Sequence, residues 1–372
     1  MNMTGIIFSN LFDENFGVLT KNRTVASLPF AGRYRFIDFV LSDMSNSNIT
    51  DIGIITKSNY KSLMDHLGSC AAWDLDRKNG GVFLLPPFAA GQTTVYQGKL
   101  EALYSAFSYL EKQDRDYVLL SDSTVICNID YEDALDYHIK SGNDLTVIAN
   151  KVDADPMTSY ALVMEKSRGK ITDMYVDYPA VKDNSFASMG MFIMERKKLL
   201  SVIRETVSRG KKRLERDFIQ HEWNNGSLSV GIFEFKGHVI RNTSISSYFA
   251  NNLRLITDSD LRRDIFNPAR PIYTKVRDEV PTYYGDGSQT DECLIADGCR
   301  IEGSLTNSVV FRDVKIGKNA IVKNSIIMQG STIGEGCYIE NAIIDKDAEI
   351  SDSAHLQGAI STPIIIEKGE SV

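Results

Sequence analysis

Residues 308–356 read SVVFRDVKIGKNAIVKNSIIMQGSTIGEGCYIENAIIDKDAEISDSAHL and carry the clearest periodic pattern in the chain. Apolar residues recur there with spacings of six, six and five, so the pattern repeats every 17 residues over three turns. These residues are Val310, Ile316, Val322, Ile327, Ile333, Ile339, Ile344, Ile350 and Leu356. Two positions before each of them lies a small or β-branched residue, and these are Ser308, Val314, Ala320, Ser325, Ser331, Cys337, Ala342, Ala348 and Ala354. Such hexads predict a parallel β-helix, in which one apolar residue per face points inward.

An amphipathic α-helix does not explain this spacing, because its apolar residues recur at three and four positions. The piece just before the repeat, residues 293–305, is predicted to form a less regular first coil.

Upstream, to about residue 235, short apolar runs alternate with helical stretches, a pattern typical of a parallel sheet covered by helices. We predict strands at residues 5–8, 52–56, 117–120, 145–149 and 229–233, and helices at residues 36–45, 99–111, 131–141 and 196–207. Ligands of such sheets bind at the carboxyl ends of the strands, so the loops after Phe8 and Leu120 are expected to line a cleft. Pro and Gly between residues 237 and 287 mark a helix and a connector. The predicted domains are therefore residues 1–235, 236–288 and 289–372.

Composition limits the classes of function. The 372 residues carry 41 Lys and Arg against 49 Asp and Glu, a formal net charge of −8, which argues against general nucleic-acid binding. The five cysteines are scattered and lack the spacing of a zinc site, so we expect reduced packing residues. No stretch has the ~20 apolar residues of a membrane span, and none resembles a signal peptide, so we expect a cytoplasmic protein that binds no membrane.

The segment from residue 17 to 49 reads GVLTKNRTVASLPFAGRYRFIDFVLSDMSNSNI, which resembles the opening of the ADP-glucose pyrophosphorylases, also called glucose-1-phosphate adenylyltransferases. Further segments that resemble this family are WDLDR at 73–77, GGV at 80–82, LPP at 85–87, ASMG at 187–190 and PIYT at 271–274. With the terminal repeat they cover nearly the whole chain. The resemblance implies an α/β fold, a Rossmann-like nucleotidyltransferase domain followed by a C-terminal left-handed parallel β-helix of hexapeptide repeats.

The resemblance also implies a reaction, the joining of glucose 1-phosphate to the α-phosphate of ATP with release of pyrophosphate, for which the family uses Mg²⁺. The family's nucleotide loop is changed in this chain. Its paired glycines correspond to Asn10 and Leu11, its third glycine to Asp13, and its Arg to Asn15. A second nucleotide turn keeps Gly98 but loses the Thr and Asp that follow. We therefore predict a degenerate nucleotide loop.

Both carboxylates that hold the family's metal are replaced. The Asp of the Ser-Gly-Asp-His segment corresponds to Ser123, and the second Asp corresponds to Arg241. Two lysines of the family, one of which holds the sugar phosphate, correspond to Val25 and Tyr178. We therefore predict no catalytic residue, no metal ligand and no cofactor. Asp122 points to the opposite face of an extended strand from Ser123, so it replaces the lost ligand only if a local bulge turns it.

Four basic residues match family positions that contribute to anionic effector sites, where the β-helix meets the α/β domain. They are Arg23, Arg35, His66 and Arg277. Clustered Arg and His suit phosphate oxygens because Arg offers a planar fork of several donors. The alternative is that Arg35 and Arg277 pair with nearby acids such as Asp38 or Asp278 and hold the domains together.

The resemblance and the departures together indicate a noncatalytic, GlgD-type subunit of the family. The main hypothesis is a regulatory protein of glycogen synthesis that joins the catalytic GlgC-type subunit in a mixed tetramer and responds to a phosphate or sugar-phosphate effector. One alternative is a weakly active or differently specific sugar-phosphate nucleotidyltransferase that uses Asp122. A hexapeptide acyltransferase is suggested by the β-helix alone, which leaves the larger α/β domain unexplained.

Overall fold

The computed structural model describes residues 1–87, 96–153, 160–177 and 181–372. The chain divides into two compact units, and neither is a single stretch of sequence. The first unit comprises Met1–Leu11, Phe39–Tyr60 and Gly68–Val239, and the second comprises Phe12–Asp38, Lys61–Leu67 and Ile240–Val372. The chain therefore passes from one unit to the other five times.

The strands in chain order are β1 (Met3–Phe8), β2 (Pro29–Phe30), β3 (Tyr34–Arg35), β4 (Asp51–Ile55), β5 (Gly81–Leu85), β6 (Tyr117–Asp122), β7 (Val125–Ile126), β8 (Leu145–Val152), β9 (Val163–Ser167), β10 (Lys170–Tyr175), β11 (Ser185–Glu195), β12 (Val230–Glu234), β13 (Ile240–Arg241), β14 (Tyr283–Tyr284), β15 (Gln289–Ile295), β16 (Arg300–Ile301), β17 (Ser304–Val310), β18 (Lys315–Ile316), β19 (Ile321–Lys323), β20 (Ile326–Ile327), β21 (Thr332–Ile333), β22 (Tyr338–Glu340), β23 (Ala342–Ile344), β24 (Glu349–Ile350), β25 (His355–Gln357) and β26 (Ile364–Ile366). The α-helices are α1 (Phe36–Asn46), α2 (Lys61–Leu67), α3 (Lys99–Ser105), α4 (Phe107–Lys112), α5 (Tyr131–Ser141), α6 (Arg196–Ser208), α7 (His221–Asn224), α8 (Ile245–Thr257) and α9 (Ser259–Ile265). Short 3-10 helices are formed by Asp13–Thr20, Val25–Ser27 and Ala71–Trp73, and Leu214–Gln220 is a π-helix.

The sheet of the first unit is mixed, whereas the alternating pattern predicted a parallel one. Strands β6, β1, β4 and β5 are neighbours in that order and run parallel. Strand β11 runs antiparallel to β6 and to β8, and β12 pairs with β8 in parallel. The described chain between β8 and β11 forms the strands β9 and β10 rather than a crossover helix, and a strand that returns without a crossover runs antiparallel.

The carboxyl ends of β1 and β6 lie side by side, with Phe8 paired to Asp122. The loops that follow these two strands therefore leave the same edge of the sheet, as predicted from the alternating pattern. The single helix predicted over residues 99–111 is instead two, α3 and α4. They separate at Ala106, where the backbone leaves helical geometry with φ −90° and ψ 3°.

The C-terminal repeat forms the predicted parallel β-helix. Its strand pairs are parallel, and each turn advances the register by 17 residues. The interior columns are Val310, Ile327 and Ile344; Ile316, Ile333 and Ile350; and Val322, Ile339 and Leu356. The preceding coil is less regular, as predicted, because Cys293 pairs with Ser308 at an offset of 15.

One corner of the β-helix is turned by a column of asparagines, Asn307, Asn324 and Asn341. Their φ angles of 44°, 46° and 50° are left-handed, a conformation that Asn adopts more readily than most residues. The Asn307 side-chain amide also donates a hydrogen bond to Asn324 Oδ1 at 2.8 Å. The corner residues thus support one another from coil to coil.

An aromatic cluster in the second unit joins the early segment Phe12–Asp38 to helix α8. The ring of Phe30 lies 5.5 Å from that of Phe36, and Tyr248 lies 6.4 and 6.0 Å from the two. The Tyr248 hydroxyl donates a hydrogen bond to the Pro29 carbonyl at 2.6 Å. These buried rings fix a segment near the start of the chain against a helix that begins at Ile245.

Within the described ranges, no helix combines the length and the apolar character that crossing a membrane requires.

Candidate functional site

A strongly cationic cavity lies within the second unit. Six of its lining side chains are Arg or Lys and one is His, and no Asp or Glu is among the described residues that line it. The lining residues are Pro29, Gly32, Arg33, Tyr34, Arg35, His66, Lys275, Arg277, Phe311, Arg312, Gln329 and Lys346. The cavity is thus built by the early segment, by α2, by the irregular chain after α9 and by the β-helix.

Arg35 is held in the cavity wall by neutral partners. Its Nη1 donates hydrogen bonds to the Ser62 carbonyl at 2.8 Å and to the Ser62 hydroxyl at 3.0 Å. Burial lowers the pKa of Arg35 to about 10, and the neighbouring charges of Arg23 and Arg277 act in the same direction. The guanidinium therefore keeps its charge at neutral pH without a carboxylate bonded to it.

Asp38 is the acid whose charge most favours the protonated form of Arg35, but its carboxylate makes hydrogen bonds to other groups. Its Oδ1 lies 2.5 Å from His66 Nε2, and its Oδ2 accepts a hydrogen bond from the Arg35 backbone N–H at 3.0 Å. Burial lowers the pKa of His66, while Asp38 opposes that shift and Arg35 and Lys346 add to it. Asp38 therefore orients His66 and the strand β3, and it acts on the Arg35 guanidinium through its charge rather than through a hydrogen bond.

The acid next to Lys346 in the chain, Asp345, is also bonded to another residue. Asp345 accepts two hydrogen bonds from Arg23 Nη2, at 2.8 Å and 2.7 Å, and both of these side chains are buried. Burial lowers the pKa of Lys346 to about 6, helped by the charges of Arg35, Arg23 and Arg277 and opposed by Asp345. The Lys346 amine thus sits in surroundings that repel a proton.

Two arginines of the cavity retain free donors. Arg277 forms no hydrogen bond or ion pair with any described residue. Arg312 is 7% exposed, and its Nε lies 3.4 Å from Asp297 Oδ1, yet its Nη2 is buried without a partner among the described residues. A buried guanidinium donor without an acceptor is costly, because the group has lost water and gained nothing in return. An anion in the cavity would supply the missing acceptor.

An anion with several oxygens, such as a phosphate or a sulfate, suits these donors best. Arg groups bind such oxygens through charge-assisted hydrogen bonds, and a planar fork favours a tetrahedral anion over a single-atom one. The anion would also offset the mutual repulsion of the cations, which the nearby carboxylates of Asp38, Asp297 and Asp345 counter only in part. The cavity is therefore a candidate anion site.

Of the four predicted effector residues, the structure brings Arg35, His66 and Arg277 into this cavity wall. Arg23 does not line the cavity. It forms an ion pair with Asp345, the residue before Lys346 of the cavity wall. The predicted alternative was pairing of the Arg35 and Arg277 guanidinium groups with Asp38 or Asp278, and no such hydrogen bond or ion pair is formed among the described residues.

Sequence reasoning missed four cations of the cavity, Arg33, Lys275, Arg312 and Lys346. The sequence contains a signal for two of these four residues. Arg33 and Lys275 each lie two positions before a predicted effector residue, and in extended chain such residues project to the same side.

The altered positions of the predicted cleft that fall in the first unit serve the fold. Asn10 accepts a hydrogen bond from the Lys57 backbone N–H at 2.7 Å and donates one to the Ser58 carbonyl at 3.1 Å. The Ser123 hydroxyl donates to the Phe8 carbonyl at 3.0 Å. Gly98, which the second nucleotide turn keeps, also serves the fold, because a Cβ there would lie 2.3 Å from the Lys212 carbonyl oxygen. Leu11 packs against the core of this unit.

The remaining altered positions fall in the second unit. Asp13 Oδ1 accepts a hydrogen bond from the Val25 backbone N–H at 2.9 Å, and Val25 itself is fully buried. Asn15 is exposed, and the carbonyl of Arg241 accepts a hydrogen bond from Asn251 at 2.8 Å. Tyr178 lies outside the described residues.

A buried ion cluster in the first unit involves a lysine that sequence reasoning did not single out. Lys99 Nζ lies 2.9 Å from Asp122 Oδ2 and 2.5 Å from Glu215 Oε1. Burial alone lowers the pKa of Lys99, but the charges and hydrogen bonds of Asp122 and Glu215 outweigh it, and the net shift is upward. Burial raises the pKa of Asp122 to about 6 against the opposing charge of Lys99, and the like charge of Glu215 raises it further.

The local bulge that Asp122 would need in order to replace the lost ligand is absent from β6, and the register break lies in the neighbouring strand β11, between Ser188 and Met191. Gly190 within that break has φ 70°, and a Cβ there would lie 2.3 Å from Asp122 Oδ2. These residues do not fit Mg²⁺. The Asp122 oxygen that faces Lys99 already bonds an ammonium group, and the Ser123 hydroxyl is a donor to backbone.

Comparison with known proteins gives matches over both parts of the chain. Residues 16–237 match the nucleotidyl transferase family, and residues 280–358 match the GlmU-like C-terminal hexapeptide family. The glycogen biosynthesis protein GlgD of Geobacillus stearothermophilus is 36% identical over 323 residues, which cover 86% of this chain and 82% of that protein. GlgD of Bacillus subtilis is 31% identical, with 86% and 82% covered. The glucose-1-phosphate adenylyltransferase of Thermotoga neapolitana is 31% identical, with 87% and 76% covered.

Proposed function

This chain belongs to the nucleotidyl transferase family, among the glucose-1-phosphate adenylyltransferases and GlgD proteins of glycogen biosynthesis, and we propose that it is a regulatory subunit with an impaired catalytic cleft. The observation that carries the proposal is a contrast of charge. The cleft positions implied by the family have lost their cations and carboxylates, whereas the cavity of the second unit holds six Arg or Lys side chains.

Loss of catalysis follows from the chemistry that the family's reaction requires. Transfer of a nucleotidyl group needs positive charge on the phosphates, supplied by a metal ion and by basic side chains. Asn15 and Val25 are neutral, and the carboxylate of Asp122 is neutralised by Lys99. Groups of this kind act together, so the loss of several leaves little of the rate enhancement.

The cationic cavity supports the regulatory part of the proposal, because it offers a binding site for an anionic effector. A phosphate or sugar-phosphate effector that binds it would be held by donors from several segments of the second unit, including α2 and the β-helix. A subunit without chemistry can still bias a partner, because an effector shifts conformations through any difference in affinity between them. We propose that the partner is the catalytic, GlgC-type subunit and that the assembly is a mixed tetramer.

The experiment that tests this function measures ADP-glucose formation from ATP and glucose 1-phosphate, with the chain alone, the catalytic subunit alone, and the two mixed. We expect no turnover by the chain alone, and a mixed assembly whose response to phosphate compounds differs from that of the catalytic subunit. The variant Arg312→Gln should remove that difference and leave assembly intact.

A matched control is Arg300→Gln, which changes an arginine of the same β-helix that pairs with Glu302 outside the cavity. It should leave the response unchanged. Substantial metal-dependent turnover by the chain alone would instead support the alternative, a weakly active or differently specific nucleotidyltransferase.

A further inference from the structure

We infer that the ammonium group of Lys99 occupies the space between the buried carboxylates of Asp122 and Glu215 in the first unit, bridges them and keeps divalent metal ions out. The family's reaction uses Mg²⁺, and the residues of this chain do not fit that ion. The inference is independent of the regulatory role, because it rests on side chains of the first unit alone.

The three groups come from three separate elements. Lys99 is the first residue of α3, Asp122 is the last residue of β6, and Glu215 lies in the π-helix Leu214–Gln220. Their exposed fractions are 4%, 4% and 9%. At 2.9 Å and 2.5 Å, the two contacts of Lys99 Nζ are direct hydrogen bonds to the carboxylates rather than links through water.

The charge of the cluster explains why a cation is needed. Two carboxylates buried this closely repel each other, and each has lost its hydration, so one cation between them stabilises both. The side chain of Lys99 is attached to the helix α3 and supplies that cation permanently. Asp122 Oδ1 is buried and has no hydrogen-bond partner among the described residues, so one ligand oxygen stays unused.

The surroundings favour an ammonium group over a hydrated metal. The rings of Phe8 and Phe192 lie 5.6 Å and 5.4 Å from Lys99 Nζ, within the range of cation–π attraction. Aromatic rings offer no oxygen ligands, whereas Mg²⁺ keeps several waters in an octahedral shell. Backbone at Gly190 also approaches Asp122 Oδ2, the oxygen that Lys99 contacts, so closely that a Cβ does not fit.

Two consequences follow. Metal ions should not bind in this cluster of the native chain, because an ion would have to displace an amine that is attached to the protein. Removal of that amine should expose two carboxylates that accept a divalent cation. The lysine is thus a covalently attached counter-ion, and it links β6 to the π-helix without a bound metal.

The test compares the full chain with the variants Lys99→Ala and Lys99→Met, each with and without Mn²⁺. Both variants should melt at a lower temperature in metal-free buffer, by roughly 10 °C, because two buried carboxylates lose their partner. Mn²⁺ should restore the melting temperature of Lys99→Ala, which leaves space for the ion, but not that of Lys99→Met, whose side chain fills the space. Electron paramagnetic resonance should show saturable Mn²⁺ binding to Lys99→Ala at one equivalent and none to the native chain.

The control Lys140→Ala removes an exposed lysine that pairs with Asp136, and its melting temperature should not respond to Mn²⁺. If Lys99→Ala fails to fold, a triple variant that combines Lys99→Met with Asp122→Asn and Glu215→Gln removes all three charges and should melt well above Lys99→Met alone.

Saturable Mn²⁺ binding to the native chain that Asp122→Asn abolishes would overturn the inference. So would a Lys99→Ala variant that folds with unchanged stability or that fails to bind the ion, and so would a triple variant no more stable than Lys99→Met. None of these measurements depends on ADP-glucose formation, so they stand apart from the test of the proposed function.

Discussion

Asp345 lies next to Lys346 in the chain, yet both of its oxygens accept hydrogen bonds from Arg23. Burial, together with the positive charges of Arg35, Arg23 and Arg277, lowers the pKa of Lys346 to about 6. A lysine in this state can regain its proton when an anion enters. Binding of an anion and uptake of a proton are therefore coupled at this residue.

We expect sulfate binding to weaken as the pH rises from about 6 toward the ordinary lysine pKa near 10.5. Sulfate keeps its charge over this range, so the protein supplies the dependence. If one full proton is taken up, the affinity falls up to about tenfold per pH unit. Calorimetry in buffers with different ionisation heats measures the uptake, and Lys346→Met should abolish most of it. Equal heats in all buffers for the native chain would contradict the coupling.

In the anion-free protein, a rise in pH should increase stability, whereas the same rise weakens sulfate binding. Because the folded-state pKa of Lys346 is lowered, the unfolded chain binds more protons than the folded chain between about pH 6 and 10.5. The free energy of unfolding, compared with that of Lys346→Met, should therefore rise with pH across this window.

At the scale of elements, the β-helix was predictable from sequence because its register is local. Each coil repeats after 17 residues, so a column such as Ile316, Ile333 and Ile350 is visible as a spacing. The mixed sheet was not predictable in the same way. The direction of β11 depends on how the chain returns from β8, and a buried strand has the same apolar composition in either direction.

The cationic cavity and the Lys99 cluster also differ in how far the sequence predicts them. Arg35 and Arg277 were found through motif positions, and their neighbours Arg33 and Lys275 follow from alternation along extended chain. The contacts of Lys99 were not predictable, because Asp122 and Glu215 lie 23 and 116 positions away and no spacing encodes them. Such contacts are set by the packing of α3 and the π-helix against the sheet.

Truncation of an interior side chain of the β-helix should destabilise the protein. Ile333→Ala should lower the free energy of unfolding by about 2–5 kcal/mol, because Ile333 is 1% exposed and its removal leaves a cavity between coils. The matched control is Ile321→Ala, an isoleucine of the same β-helix that is 38% exposed and should cost much less. Urea unfolding measures both, and equal losses would mean that the interior column is not the stabilising feature.

At the scale of the whole molecule, large apolar side chains remain exposed on the second unit. Val276 and Val280 are 74% and 70% exposed, and Tyr283 and Tyr284 follow them in the chain at 54% and 50%. Four exposed apolar side chains within nine residues of chain are a candidate surface for assembly. It belongs to the same unit as the cationic cavity, so an interface there would lie on the unit that binds the proposed effector.

We expect the chain to elute from a sizing column with the catalytic subunit as one species of about four chains, as proposed for a mixed tetramer. Val276→Asp with Val280→Asp should weaken that assembly by placing charge in an apolar contact. Lys140→Ala, a change on the first unit, should not. Independent elution of the two native chains at micromolar concentration would exclude regulation by stable assembly.

The interleaving of the two units also governs how the protein is made. Phe30 and Phe36 leave the ribosome early, but their partner Tyr248 follows more than 200 residues later. At ~5–20 residues per second, translation takes roughly 10–40 s to reach it. During that time the early aromatic segment lacks the helix that covers it and is a target for chaperones. Synonymous codons that slow translation between these points would lengthen the exposure, and the yield of folded protein would then depend on the pace of synthesis as well as on the sequence.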